Sequence, residues 1–141
     1  MAQLKIDLTT KWQTEWDNSI WGRATHDYFP VITDRIDMKW VIPSYYISQI
    51  LTGHGNFKRY LTTRHLTDNG QCYCGGGPET TTHVVYHCTR FTRQRELLIN
   101  KMILKGYNWP TRTIHLVNKD NYDDFIDFVI QIMTFKERED S

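Results

Sequence analysis

Residues 72–88 read Cys72-Tyr73-Cys74-Gly75-Gly76-Gly77-Pro78-Glu79-Thr80-Thr81-Thr82-His83-Val84-Val85-Tyr86-His87-Cys88, and they hold every cysteine of the 141-residue chain. Three thiols and an imidazole in the pattern C-x-C-x8-H-x4-C are the soft and borderline donors that a tetrahedral structural zinc takes. A disulfide framework fits poorly. Two cysteines one residue apart share too short a backbone arc for a strain-free bridge, and the third would be left odd. The alternative to a metal site is three buried thiols. His83 and His87 are spaced four apart and would face one side of a regular helix, so Cys72, Cys74, His83 and His87 compete as a ligand set with Cys72, Cys74, His83 and Cys88.

The surrounding loop suits convergence on an ion. Gly75, Gly76 and Gly77 followed by Pro78 give a tight reversal, because glycine reaches positive φ cheaply. Glu79 and the threonines after it predict the start of a short helix, with a threonine cap and an acidic charge near its positive end.

Upstream, residues 4–18 carry a helical pattern in which Trp12 and Trp16 are expected to bury together. The stretch 21–30 reads as irregular, broken at Gly22 and turned from helix by Pro30, with Arg23, Thr25 and His26 as phosphate-contact candidates. A further helix is expected over 32–38. Pro43-Ser44 starts another, with Tyr46, Ile47, Ile50 and Leu51 at helical spacing until Gly53 and Gly55, and 56–65 forms the next. Downstream, 89–105 is read as the longest regular helix, with Arg90, Arg93 and Lys101 outward, and 107–117 as an extended connector. The last helix, about 120–137, has acidic residues in its first turn and Lys136 and Arg138 near its end, as the macrodipole favours. Its apolar stripe of Tyr122, Phe125, Ile126, Val129, Ile132 and Met133 is widened by Phe128, Ile130 and Phe135. That girth predicts either a central place in the fold or a partner or homodimer interface.

The fold expected is therefore mostly α: one small helical domain over 1–141, organised around a zinc knuckle at 70–90 that binds one structural Zn2+ per chain. The balance of 17 basic and 16 acidic residues carries no global message, and 13% aromatics argue against disorder. No apolar run is long enough to span a bilayer and no signal peptide is present, so the expected setting is intracellular, nuclear or cytoplasmic, where thiols stay reduced. Between Gly55 and Arg112 the basic residues Lys58, Arg59, Arg64, Arg90, Arg93, Arg95, Lys101, Lys105 and Arg112 face only Asp68, Glu79 and Glu96. This local excess brackets the knuckle, so Lys58, Arg59, Arg64, Arg90 and Arg93 are candidates to bind RNA or DNA, with Tyr73 stacking on an unpaired base. No catalytic constellation is identifiable. Asp123 and Asp127 have an ordinary role on a capped helix, and four protein ligands would close a zinc shell to chemistry.

Several runs resemble a known family: KWQTEWDNS from Lys11, GRATHDYFPVITDRI from Gly22, SYYISQILTGHGNFKRYLTTRHLTDNGQCYCG from Ser44, and ETTTHVVYHC from Glu79. Together they are similar to the C-terminal tail of the polyproteins of non-LTR retrotransposons of the jockey and related clades, over roughly Lys11 to Leu98. LTGHGNFKRYL and the C-x-C-x8-H-x4-C array are the most specific parts. The resemblance implies a non-catalytic CCHC knuckle that binds element RNA or target DNA beside a reverse transcriptase, whose polymerase motifs this chain lacks. It implies Cys72, Cys74, His83 and Cys88 as ligands, and so favours Cys88 over His87. The family's often lysine-containing segment before the GRAT-like run is here Ser19-Ile20-Trp21, which removes an expected phosphate contact. The chain is then either an excised tail domain or a host gene derived from such an element, and a protein-interaction scaffold of the domesticated kind, using Phe128, Ile130 and Phe135 of the apolar last helix, is the alternative function.

Overall fold

A computed structural model describes residues 2–140, with side chains described for 7–139. Nine α-helices follow one another among these residues, with no strand; the one extended pairing is an isolated antiparallel bridge between Gln71 and Pro78. None of the helices is long and apolar enough to cross a membrane.

The last helix, α9 (Tyr122–Asp140), is the axis on which the others are laid. Tyr122, Phe125, Phe128, Val129, Ile132 and Met133 are buried along it, and it packs against both α4 (Tyr45–Thr52) and α7 (Thr92–Leu104). Phe125 stacks on Tyr28 and on Phe128, with centroids 6.1 and 6.4 Å apart, while Phe135 meets Phe91 edge-on at 5.5 Å. Girth along this helix is thus explained by the chain's own core. Phe128 is 2% exposed, which corrects the partner-interface expectation at that residue; Phe135 is partly buried against the core, and Ile130 faces solvent.

The helix signals in α4 hold. Ser44 precedes it, Ile47, Ile50 and Leu51 are buried, and Gly53 ends it in the left-handed conformation, at φ 72°, where its N–H reaches Gln49 O. Next come α5 (Lys58–Thr63), the cysteine hairpin and α6 (Thr81–Tyr86). A 3-10 turn at Thr89–Phe91 leads into α7, which is shorter than α9 and than α1 (Ala2–Asn18), so 89–105 is not the longest helix.

Three expectations along the chain are corrected. The stretch read as irregular contains α2 (Arg23–Tyr28): Gly22 adopts φ 67° ahead of it and starts the helix instead of breaking it. Burial of Tyr28 and Phe29, together with Thr25 donating to Leu51 O, holds α2 against α4. The connector at 107–117 includes a short helix, α8 (Thr113–Leu116), which packs against α2 and buries Leu116. Trp12 is 50% exposed and does not bury with Trp16. Helix α1 is instead pinned by polar contacts to the chain between α2 and α3 (Ile32–Asp37): Trp16 Nε1 donates to Phe29 O at 2.8 Å, Gln13 Nε2 donates to Pro30 O, and Gln13 Oε1 accepts from Ile32 N–H.

Candidate metal centre

The cysteine loop is a small hairpin closed by backbone hydrogen bonds. Cys72 N–H donates to Gly77 O and Glu79 N–H to Gly70 O, while Gly75 N–H turns back to Cys72 O. Gly75 and Gly77 sit at φ 78° and 122°, a region costly for any residue with a Cβ. Gly76 is needed for space: a Cβ there would lie 3.2 Å from Cys74 Sγ and 3.3 Å from His83 Cε1. After the hairpin, Thr80 Oγ1 accepts from His83 N–H and caps α6, as the threonine run predicts. Cys88 arrives two residues after the helix, tied by its own N–H to His83 O at 2.7 Å.

These devices bring one ligand atom each from Cys72, Cys74, His83 and Cys88 within 4.8 Å of one another. Cys72 Sγ and Cys88 Sγ are 3.6 Å apart, and Cys74 Sγ lies 3.2 Å from His83 Nε2. Tetrahedral zinc with bonds near 2.3 Å to sulfur requires S to S spacings of about 3.8 Å, so the donor set fits a metal such as zinc. His87 is the C-cap of α6, exposed and beside Tyr86 rather than the sulfurs, so the fourth converging group is Cys88.

The sulfurs differ electrostatically. Burial pushes the Cys72 thiol up to about 12. Partial burial raises Cys74 too, but the Gly76 amide, His83 and the neighbouring sulfurs outweigh it and bring that thiol down to about 6. A bound divalent cation would deprotonate all three outright.

Beside the cluster lies a group of buried charges that the sequence reading missed. Glu79 is fully buried. Its Oε1 accepts from Lys136 Nζ at 2.7 Å and from Lys58 N–H at 2.9 Å, and its Oε2 accepts from Arg90 Nη2 at 2.6 Å and lies 3.7 Å from Cys72 Sγ. Its carbonyl accepts from Arg59 N–H, so Glu79 caps the first turn of α5 in place of the apolar N-cap Phe57. Burial pushes its carboxyl up, yet Lys136, the Lys58 amide and Arg90 together hold it below the usual carboxylate range. Lys136 is 2% exposed, an interior counter-charge rather than a surface residue at a helix end.

Arg90 also turns inward. Its Nε donates to Cys88 Sγ at 3.2 Å, Nη2 pairs with Glu79 and Nη1 pairs with Glu139 of α9. Burial lowers its basicity, but the Cys88 sulfur and Glu139 more than offset that and raise it. The outward face expected for Arg90 is thereby corrected. Arg95 is likewise buried, donating from Nε to Val85 O at 2.7 Å and from Nη2 to Val84 O at 2.9 Å, where it satisfies the last carbonyls of α6.

Of the remaining candidates for a polyanion, Lys58 is half-buried and the others face solvent. Arg59, Arg64 and Arg93 are exposed, and Tyr73 at the hairpin tip is 59% exposed with Lys58 Nζ 3.3 Å from its ring centroid. Arg23 is turned to the backbone instead, donating to the carbonyls of Trp16, Asp17 and Trp21, and His26 pairs with Asp17 at 3.0 Å. Asp124 pairs with Lys105 at 2.7 Å and Lys101 at 3.6 Å, an ordinary surface network.

The chain is 33% identical over 108 residues to a Pol polyprotein from the type-1 retrotransposable element R1 4 of Nasonia vitripennis, covering 76% of this chain and 27% of that protein. It is 39% identical over 87 residues to the R1 element Pol polyprotein of Popillia japonica, covering 61% of this chain and 34% of the relative. For the R1 polyprotein of Bradysia coprophila the identity is 31% over 90 residues, 64% of this chain and 9% of the relative. The chain thus spans about a third or less of the length of the curated relatives it matches. No family model matches it, and no solved structure does.

Proposed function

Since the homologues of this chain are R1 non-LTR retrotransposon Pol polyproteins, of which a C-terminal fragment fits, we propose that it is a structural-zinc module that binds RNA or DNA without catalysis, in the nucleus or cytoplasm. The observation that carries the reading is the arrangement at the hairpin tip. An exposed aromatic ring with a lysine ammonium on its face belongs to the hairpin that supplies the metal donors, and the helical segments flanking it in sequence carry exposed arginines. Cation and ring together suit an unpaired base with its phosphate.

Cys72, Cys74, His83 and Cys88 would hold the zinc, which supplies a rigid cross-link between the hairpin and α6. Four protein donors leave no open position on the ion, so the role is structural. Arg59, Arg64 and Arg93 attract phosphate, and Tyr73 offers its ring to a base. Base-edge donors are few at this tip, so sequence preference is slight.

Fluorescence anisotropy of a labelled single strand across a salt series tests this. Affinity should fall with a log–log slope of about 0.7 per phosphate neutralised. Replacing Arg59, Arg64 and Arg93 by glutamine together should flatten the slope and leave zinc content unchanged. A zinc-loaded chain that binds neither RNA nor DNA at low salt would overturn the reading.

A further inference from the structure

The guanidinium of Arg90 has three partners at once: a sulfur of the metal cluster, the buried carboxylate of Glu79, and Glu139 of α9. A guanidinium is planar and rigid, so it cannot give up one of these contacts without disturbing the others. Glu79 in turn lies 3.7 Å from Cys72 Sγ and receives Lys136 from α9. Two of the four donors are therefore each one contact from a charge cluster. Helix α9 supplies opposite charges to it from Lys136 and Glu139, spaced i, i+3 on one face.

Position gives this arrangement a direction. Metal capture would fix Cys88 Sγ, the sulfur on which Arg90 Nε lies at 3.2 Å, and so would fix the fork that also grips Glu79 and Glu139.

We propose that metal capture at the cysteine hairpin and seating of the end of α9 are one coupled event, with Glu79 and Arg90 as the positioning residues that join them. The proposal rests on the metal reading above. Coupling is reciprocal, so a change on α9 that never touches a sulfur should change metal affinity by the factor by which metal stabilises α9.

The test uses the full chain with zinc alone. Native mass spectrometry counts bound ions, chelator competition gives affinity, and hydrogen exchange follows peptides over 128–139 against peptides over 7–20. Lys136→Met, close in volume but uncharged, should weaken zinc binding about tenfold, the lower end of what partners outside the ligand shell contribute, and Lys136→Arg should retain most of it. A packing role alone predicts the opposite order, since methionine fits and arginine does not. Should Lys136→Met fail to fold, Glu139→Gln, at the 21% exposed rim, reads the same linkage through Arg90. Removing zinc should speed exchange over 128–139 more than over 7–20. One zinc per chain with unchanged affinity in Lys136→Met and Glu139→Gln, and equal exchange with and without zinc, overturns the coupling alone. Absence of bound zinc in the parent chain overturns the metal centre, and the coupling with it.

Discussion

Replacing Glu79 with glutamine preserves shape and removes one charge from the interior. In the parent the carboxylate accepts from Lys136 Nζ, Arg90 Nη2 and the Lys58 amide while fully buried. Glutamine can accept through one oxygen only, so its NH2 must face either the Arg90 guanidinium or the Lys136 ammonium, donor against donor. Lys136, at 2% exposure, is then left without its counter-charge. Removing one partner from a buried, hydrogen-bonded ion pair costs about 3–5 kcal/mol, because the other charge stays desolvated. At about 2–4 °C per kcal/mol for a chain near this length, the midpoint should fall by roughly 10 °C. Urea unfolding followed by far-UV circular dichroism, with zinc in excess in both samples, measures the difference. The cycle with Lys136→Met should be non-additive, the pair together costing less than the sum of the singles. A Glu79→Gln loss below about 1 kcal/mol would refute the reasoning, since it would place the carboxylate in the range of exposed pairs.

Acid should act through the same residue: because its folded carboxyl is held below the ordinary value, its stabilisation is complete above the unfolded value of about 4.3 and disappears as pH falls through the lower folded one. Acid titration of Glu79→Gln should accordingly lose less stability over that window than the parent, and parallel curves would count against the assignment. In metal-free protein at neutral pH, iodoacetamide should modify Cys74 first, since that thiol is brought down to about 6 and is partly exposed, whereas Cys72 is buried and raised to about 12. Peptide mapping that finds Cys72 or Cys88 modified first would contradict this; zinc should protect all three. Gly76→Ala should weaken zinc binding, because its new methyl must displace Cys74 Sγ or the His83 ring, and chelator competition showing parent affinity would sink the claim.

What was legible in the sequence is what short range decides. The converging donors, the threonine cap on α6 and the glycine stop of α4 all follow from spacing and backbone freedom within a few residues. Gly22 misled because the same positive φ that ends one helix can start the next. Arg90 is placed outward by spacing, and the burial of Glu79 and Arg95 goes unread, for a different reason: a charge looks solvated until its partner is known, and Val85 lies 10, Arg90 11 and Lys136 57 residues from the group it meets. One signal was available. Lys136 continues the spacing of Phe125, Val129 and Ile132 on α9, and a lysine set on an apolar stripe demands a buried carboxylate opposite.

The separations around Glu79 also order the folding reaction. Cys72 and Cys88 close a loop of 16 residues and Arg90 lies 11 from Glu79, but Lys136 lies 57 away. Loop entropy rises with the logarithm of length, so the long closure costs about 1 kcal/mol more than the short ones. The expected order is therefore hairpin and α6 first, with the carboxylate losing its water when the last helix arrives with the ammonium that replaces it. That order places desolvation of the charge after the barrier, which the kinetics of one variant test. Lys136→Met should leave the refolding rate nearly unchanged and accelerate unfolding, so the last-formed contact of the buried cluster governs how long the native state lasts.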